Sequence, residues 1–295
     1  MKQVLVIANP AASRGGALRA LEKVQRHIRQ YQDCCNFDFM ITVNPNHATD
    51  LAKAHAKDYD LVVAFGGDGT VNEVAQGLVG GNTPLAVIPF GTGNDYARSA
   101  GIPLGLDPAL ELACTGTYTP CDVGFVNGRY FVNAVGIGFD GRANYEAEQI
   151  RWLRGPMVIL LAIFRTMWNW DAVPMTLTID NQTISKSTYL IGIGNGPFIG
   201  GGLQLTPEAR IDNGILHVCH VEDISPFKII ANFSKLKTGT IDKLSEVALY
   251  TGSTVVIESE QPMPVHVDGE VLGLDVHKLD LRILPSALQV IRNPV

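Results

Sequence analysis

At 295 residues with 46% hydrophobic positions, the chain can build two modest cores. A formal charge of -6, with acids and bases mixed and no basic arm, argues against nucleic acid as a partner. Five cysteines (Cys34, Cys35, Cys114, Cys121, Cys219) without CxxC or metal-ligand spacing point to free thiols in a reducing cytoplasm.

Residues 4–8 are apolar and stop at Asn9-Pro10, which predicts a first strand rather than a signal-peptide core. Leu18, Leu21, Val24 and Ile28 form a helical stripe over 17–30. Strand-like 37–43, helix-like 48–57, a buried strand at 61–65, a helix over 71–78 and a strand at 85–88 follow. Apolar strands alternating with helices predict a parallel sheet covered on both faces, which binds ligands at the carboxyl ends of its strands. A further strand is expected over 118–123.

Beyond residue 123 strand-like segments dominate, at 130–135, 175–179, 187–193, 215–220, 254–258, 264–267 and 279–284. Turn pairs such as Asn127-Gly128, Asp180-Asn181 and Asn213-Gly214 separate several of them, which suggests an antiparallel β-sandwich. Helical segments interrupt it at 151–168 and 226–237. The expected organisation is an α/β domain with a parallel sheet over 1–122 and an antiparallel β-sandwich domain over 123–295, its last residues open to packing back on the first. The longest apolar stretch, 157–164, is well short of the ~20 residues that span a bilayer, so at most peripheral membrane contact is expected.

Chemistry concentrates in Gly66-Gly67-Asp68-Gly69-Thr70, between a strand and a helix. Its glycines let backbone approach a ligand, and the helix start offers N–H groups and a positive dipole end to phosphate. Thr70 and Glu73 have the spacing of a capping box. Asp68 beside a phosphate site calls for an intervening cation, so Mg²⁺ is implied. Pro89-Phe90-Gly91-Thr92-Gly93-Asn94-Asp95-Tyr96 follows the next strand and brings a second carboxylate, Asp95, to the same sheet edge. Ser13-Arg14-Gly15-Gly16 follows the first strand, with Arg14 a candidate phosphate clamp. Asp122 ends a strand and completes a candidate set of three acids, although a lone loop aspartate equally caps a turn.

These two loops, with Asn72-Glu73-Val74, Asn195-Gly196, Gly200-Gly201-Gly202, Pro207, Asp212, Gly214 and Val267-Asp268-Gly269-Glu270, resemble the diacylglycerol kinase catalytic family in its bacterial soluble lipid-kinase branch. The likeness runs along nearly the whole chain in the family's order. It implies an α/β nucleotide-binding domain, then a β-sandwich, with the active site between them. It also implies an enzyme that moves the γ-phosphate of ATP to a hydroxyl of diacylglycerol or a related lipid. ATP would be held by Asn9, Pro10, Ala11, Ala12, Ser13, Thr42, Gly66, Gly67, Asp68, Gly69, Thr70, Val71, Asn72 and Thr92. Asp68, Asp95 and Asp122 match positions linked to the catalytic Mg²⁺ through water, and Glu270 matches the proposed general base. A second, structural Mg²⁺ would take the backbone carbonyls of Arg210 and Ile215 and the side chain of Asn213. An acid is usual where Asn213 stands, so that site is weakened.

Phosphoryl transfer independently needs a group to accept the hydroxyl proton, which suits Glu270; a hairpin turn with an exposed glutamate is the competing reading. His266 receives no role. Gly136-Ile137-Gly138-Phe139-Asp140-Gly141 matches GxGxxG but lacks a supporting βαβ unit, and His217 and His220 on one strand face opposite ways. Trp152, Leu153, Arg165, Trp168 and Trp170 with the apolar run between them suit a transient membrane surface, or simply a helix packed on the sandwich. An NAD kinase shares the first glycine loop, and a non-catalytic nucleotide- or lipid-binding regulator is the reading from another class. A homodimer stays open.

Overall fold

The computed structural model describes residues 1–10, 16–150, 152–153 and 155–293. The chain divides into two compact units, Met1–Val123 with the segment from Pro285, and Gly124–Leu284.

In the first unit the elements run β1 (Lys2–Ala8), α1 (Gly16–His27), β2 (Cys35–Ile41), α2 (His47–His55), β3 (Leu61–Gly66), α3 (Asp68–Leu78), β4 (Leu85–Pro89), α4 (Asp95–Ser99), α5 (Leu106–Thr115) and the start of β5 (Tyr118–Val126). Strands β2, β1, β3 and β4 lie side by side in that order and all parallel, with Val4 opposite Leu61 and Val62 opposite Leu85. The chain's last strand joins them in parallel at Val290, beside Leu85. Val4, Val6, Val63, Phe65 and Ile88 pack on one face with Val24 of α1 and Leu110 of α5. Leu5, Ile7, Val62, Ala64 and Val87 alternate with them and are equally buried. Burial of both faces is why these strands read as unbroken apolar runs.

The second unit continues with β6 (Arg129–Phe131), β7 (Ala134–Gly138), α6 (Phe139–Gln149), α7 (Pro156–Met167), β8 (Val173–Ile179) and β9 (Gln182–Gly194). The short β10 (Phe198–Ile199) and β11 (Leu203–Gln204) follow, then β12 (Leu216–Glu222), α8 (Pro226–Thr238), β13 (Val247–Gly252), β14 (Thr254–Val267) and β15 (Glu270–Ile291). Its pairings are antiparallel, β7 with β9 and β14, β12 with β9 and β13, and β8 with β9 and β14. Inward residues of these strands, among them Val135, Ile137, Leu177, Ile191, Val218, Val255 and Val265, form one closed core. A second cluster (Phe139, Met167, Tyr189, Leu205, Val221) is joined by partly buried residues of α7 and α8, such as Ile163, Ile229 and Leu236.

Several expected boundaries move. The segments 254–258 and 264–267 are one strand, because the polar stretch between them is a bulge at which register with β15 shifts rather than a strand end. Helix α3 starts at Asp68, so Thr70 lies inside its first turn and no side chain caps it. Glu73 serves α2 instead: its Oε2 accepts from the Ala48 N–H at 3.1 Å, and its carbonyl accepts from Thr49 Oγ1 at 2.8 Å. The expected strand over 130–135 is two, β6 and β7, while helices α4, α5 and α6 and strands β10, β11 and β13 had no counterpart in the sequence pattern. All five cysteines stand outside any disulfide. Among the described residues no helix is long and apolar enough to cross a membrane.

Candidate active site

Because β2, β1, β3 and β4 are parallel, their carboxyl ends share one edge, which carries Asn9, Thr42 and both glycine loops. Asn9 Nδ2 donates to Thr70 Oγ1 at 3.1 Å, and the Asn9 N–H donates to the Phe65 carbonyl at 3.1 Å. The Thr42 N–H donates to the Ala8 carbonyl at 2.9 Å, which fixes the exit of β2 beside that of β1. The Phe90 N–H donates to the Gly66 carbonyl at 2.6 Å, so the two loops leave the sheet together. They then touch backbone to backbone: a Cβ on Gly91 would stand 2.5 Å from the Gly67 Cα. Helix α3 begins one residue later and leaves its first N–H groups at this edge, a binding place for anions.

The second loop turns through Asn94, held at φ 53 while its Oδ1 accepts from the Gly91 N–H at 2.8 Å. Asparagine tolerates that left-handed geometry by such local bonding. The turn delivers Asp95 to the start of α4 and aims the Tyr96 N–H at Asp68 Oδ1, 3.0 Å away. A Cβ on Gly93 would lie 3.0 Å from Oδ2 of Asp68 and equally 3.0 Å from Oδ2 of Asp95, so both carboxylates lean on one glycine. Burial pushes the Asp68 carboxyl above the ordinary range, while backbone N–H groups of Tyr96, Asn94 and Asp95 pull it back. Asp122 is buried and accepts from the Ser286 N–H at 2.8 Å. Among the described residues, no three or more His, Cys, Asp or Glu side chains gather as direct metal ligands. Asp68 and Asp95 are therefore the pair brought together, and Asp122 is engaged with the returning C-terminal segment. Ala11, Ala12, Ser13 and Arg14 lie outside the described residues.

In the second unit Asp268 and Gly269, at φ 48 and 85, make a two-residue turn between β14 and β15 and place Glu270 first on β15. Glu270 is paired with Arg129. The Asp268 carboxylate is buried and accepts three backbone N–H groups, from Val132, Asn133 and Ala134 at 2.7, 3.0 and 2.8 Å. His266 steadies the same turn. Its Nε2 lies 3.0 Å from Asp140 Oδ2, and in the neutral ring its Nδ1 accepts from the Gly269 N–H at 3.3 Å. Burial disfavours a charged His266 ring, but the Asp140 carboxylate outweighs it and holds the pKa above the usual value.

The model of the diacylglycerol kinase catalytic domain matches residues 3–126, and that of the YegS C-terminal NAD kinase beta sandwich-like domain matches 133–292. A diacylglycerol kinase of Mycobacterium tuberculosis (strain ATCC 25618 / H37Rv) is 30% identical over 98% of this chain and 95% of its own length. The chain belongs to the diacylglycerol kinase catalytic-domain family. Another relative, "Probable lipid kinase YegS-like" of Klebsiella pneumoniae (strain 342), is 35% identical over 78% of this chain and 77% of its own. A crystal structure from Bacillus anthracis str. Sterne, itself assigned to the diacylglycerol kinases, superimposes with a TM-score of 0.82 at 28% identity. It covers 99% of this chain and 98% of that one.

Of the expected second metal set Arg210, Asn213 and Ile215, the Asn213 side chain is engaged at both ends. Asn213 Oδ1 accepts from the Ile215 N–H at 3.3 Å, and its Nδ2 lies 3.1 Å from His217 Nε2. Asp212, within the same segment, is paired to Arg210. His220 instead meets Thr188 Oγ1 at 2.9 Å, so the two histidines do not converge. The GxGxxG stretch serves packing. A Cβ on Gly136 would stand 2.2 Å from His266 Nε2, and one on Gly141 2.2 Å from the Pro264 carbonyl oxygen. The role of His266 escaped the sequence reading because its partner Asp140 lies 126 positions away.

Gly91→Val should destabilise the first unit by about 1–3 kcal/mol and abolish ATP binding, read by denaturant unfolding and by nucleotide titration. Asp268→Ala strands three buried N–H groups and should cost about 2–4 kcal/mol, measured by the urea midpoint. Asp140→Asn should cost about 1–3 kcal/mol at pH 5.5 and clearly less at pH 9. The raised His266 pKa stabilises the fold fully below the unfolded value, and that stabilisation is lost as pH rises through the folded value. Equal loss at both pH values would remove the charged pair from the account.

Proposed function

We propose that the chain is an ATP-dependent lipid kinase that transfers the γ-phosphate to a hydroxyl of diacylglycerol or a related lipid. The observation that carries this reading is the edge where two glycine loops touch, with Asp68 and Asp95 leaning on Gly93 and α3 starting beside them. Glycine backbones and a helix N-terminus suit a polyphosphate, and two carboxylates alone would repel it. Carboxylate oxygens suit Mg²⁺, which Asp68 and Asp95 would hold, with Asp122 acting through water as the family resemblance implies. When bound, the ion neutralises charge on the transferring phosphoryl group. Asn9, Pro10, Thr42, Thr70, Val71, Asn72 and Thr92 belong to or border the same edge and would contact the nucleotide.

Glu270 is the group on this chain suited to take the proton of the lipid hydroxyl. Arg129 orients its carboxylate, and the Asp268 and His266 bonds fix the turn that carries it. Met157, Leu160 and Phe164 of α7, Trp168, and Phe227 and Ile230 of α8 are large apolar side chains left exposed. The Trp168 ring meets Phe227 edge-on at 5.6 Å. Such a patch supports transient contact with a membrane surface, where the lipid resides.

The test is incubation with Mg-ATP and a bacterial lipid extract, with NAD in a parallel tube, read by mass spectrometry for added phosphate. A phosphorylated lipid is expected. Asp68→Asn keeps an acceptor for the Tyr96 N–H but loses the charge, and should remove the product while the protein stays folded. Glu270→Gln should retain ATP binding and slow transfer by about 10²–10⁴-fold. Phosphorylated NAD instead would move the chain to the NAD kinases, and ATP binding without any product would favour a regulator.

A further inference from the structure

A backbone N–H can only donate, so the Gly269 N–H, 3.3 Å from His266 Nδ1, requires that nitrogen to carry a lone pair and no proton. The ring's one proton is then on Nε2, 3.0 Å from Asp140 Oδ2, and is donated to that carboxylate. His266 is thus neutral in this arrangement, in one tautomer, and bonded at both nitrogens. Space is kept for the pair on β7, which runs beside β14. A Cβ on Gly136 would stand 2.1 Å from Asp140 Oδ2 and 2.2 Å from His266 Nε2. The His266 side chain is itself buried.

The charges around the ring favour a second state. Burial, the largest single effect, works against a charged ring, but Asp140 of α6 and Asp268 of the turn together outweigh it. Val271 of β15 and Gly136 of β7, opposite His266 in the ladder, bring no charge. Cys219 of β12 is a buried thiol near Asp140, and burial drives its pKa up, so it stays protonated. Glu270 is paired with Arg129, and Arg142 of α6 with Glu146. Gly269 therefore asks for the neutral ring, while two carboxylates ask for the charged one.

A proton added at Nδ1 changes one bond. Nδ1–H and the Gly269 N–H are then both donors, so that bond is lost, while the bond to Asp140 becomes an ion pair. Gly269 directly precedes Glu270 and, at φ 85, is the residue of the turn with the most backbone freedom. The Asp268 carboxylate keeps its three N–H groups, so the hairpin persists and the change is confined to the peptide between Gly269 and Glu270. A misplacement of about 1 Å at a reacting group can cost about 10²-fold in rate.

We infer that His266 is the positioning residue of Glu270: with Nδ1 unprotonated it holds the turn in the geometry that takes the hydroxyl proton, and a proton at Nδ1 releases it. The inference rests on the lipid-kinase reading. The ring's raised pKa places the change above pH 6.5, with the released form on the acid side, so transfer rises with pH.

The experiment uses the full chain labelled with ¹⁵N-histidine and ¹⁵N-glycine, followed by NMR from about pH 5.5 to about pH 9. Over the same range kcat is measured with Mg-ATP and mixed micelles of diacylglycerol. His266 is expected as the Nε2–H tautomer at high pH, with the Gly269 amide moving as Nδ1 takes up its proton. Over that step kcat should fall about tenfold or more, while KM for ATP stays within about twofold. Asp140→Asn keeps an acceptor for Nε2–H but loses the charge, and should move both midpoints down by about one pH unit or more. His266→Gln reaches Asp140 but has no acceptor for Gly269, and should be slow by about tenfold or more at every pH. His266→Asn, whose Oδ1 replaces Nδ1, should recover most of that rate and lack the step. A rate step that Asp140→Asn leaves in place, or a Gly269 amide that ignores the His266 titration, overturns the inference. So does a His266→Asn as slow as His266→Gln. Phosphorylated lipid without any such pH step sinks this inference alone. Coupled titration of His266 and Gly269 without phosphorylated lipid keeps the tie and sinks the kinase reading.

Discussion

Two peptide backbones in van der Waals contact leave no volume for a side chain, and that constraint at Gly67 and Gly91 organises the edge of the first unit. Strands β3 and β4 are adjacent and parallel, so their exits lie one strand spacing apart. Loops leaving that close must be glycine where they meet. With the loops pinned, Asn94 can close its turn on Gly91, Tyr96 can reach Asp68, and the two acids come to share Gly93. Like charges held in one place are a liability to folding. They are tolerated where a cation or a bound anion's counter-ion is part of the working state, which is the physical content of the kinase reading.

In the second unit the corresponding device is a buried carboxylate. Asp268 occupies a hairpin position that tolerates many residues on its own, but three backbone N–H groups of 132–134 end on its oxygens. The turn is thereby tied to a neighbouring segment rather than left at a sheet tip, and Glu270 inherits a fixed backbone. His266 adds a second tie through a single N–H, and Gly136 and Gly141 keep space for that pair. Catalytic groups on tied turns need little reorganisation, which is where much of the rate advantage of a preorganised site arises.

The sequence made legible whatever depends on local pattern. Buried parallel strands announced themselves as apolar runs, and the glycine loops stood out by their place between strand and helix. What stayed hidden depends on partners remote in the chain. Glu73 has capping-box spacing from Thr70, but the α2 terminus that it serves is 25 positions earlier. Asp268 reads as an ordinary turn residue until its donors 134 to 136 positions away are in view. Helix α4 was hidden inside a loop motif, since a left-handed Asn94 directly before it looks like loop in one dimension. The polar stretch in β14 looked like a strand end because a bulge and a terminus carry the same residues.

The uneven packing of the second unit follows from what stability requires. A domain needs one well-closed core to offset its chain entropy, and the antiparallel strands supply it with Val135, Ile191, Val255 and their neighbours. Once that is met, the layer formed by α7 and α8 is free to be less complete. Helix α8 is held at its ends by Ser225 and Gly239 and packs on the sheet through partly buried residues such as Ile229 and Leu236.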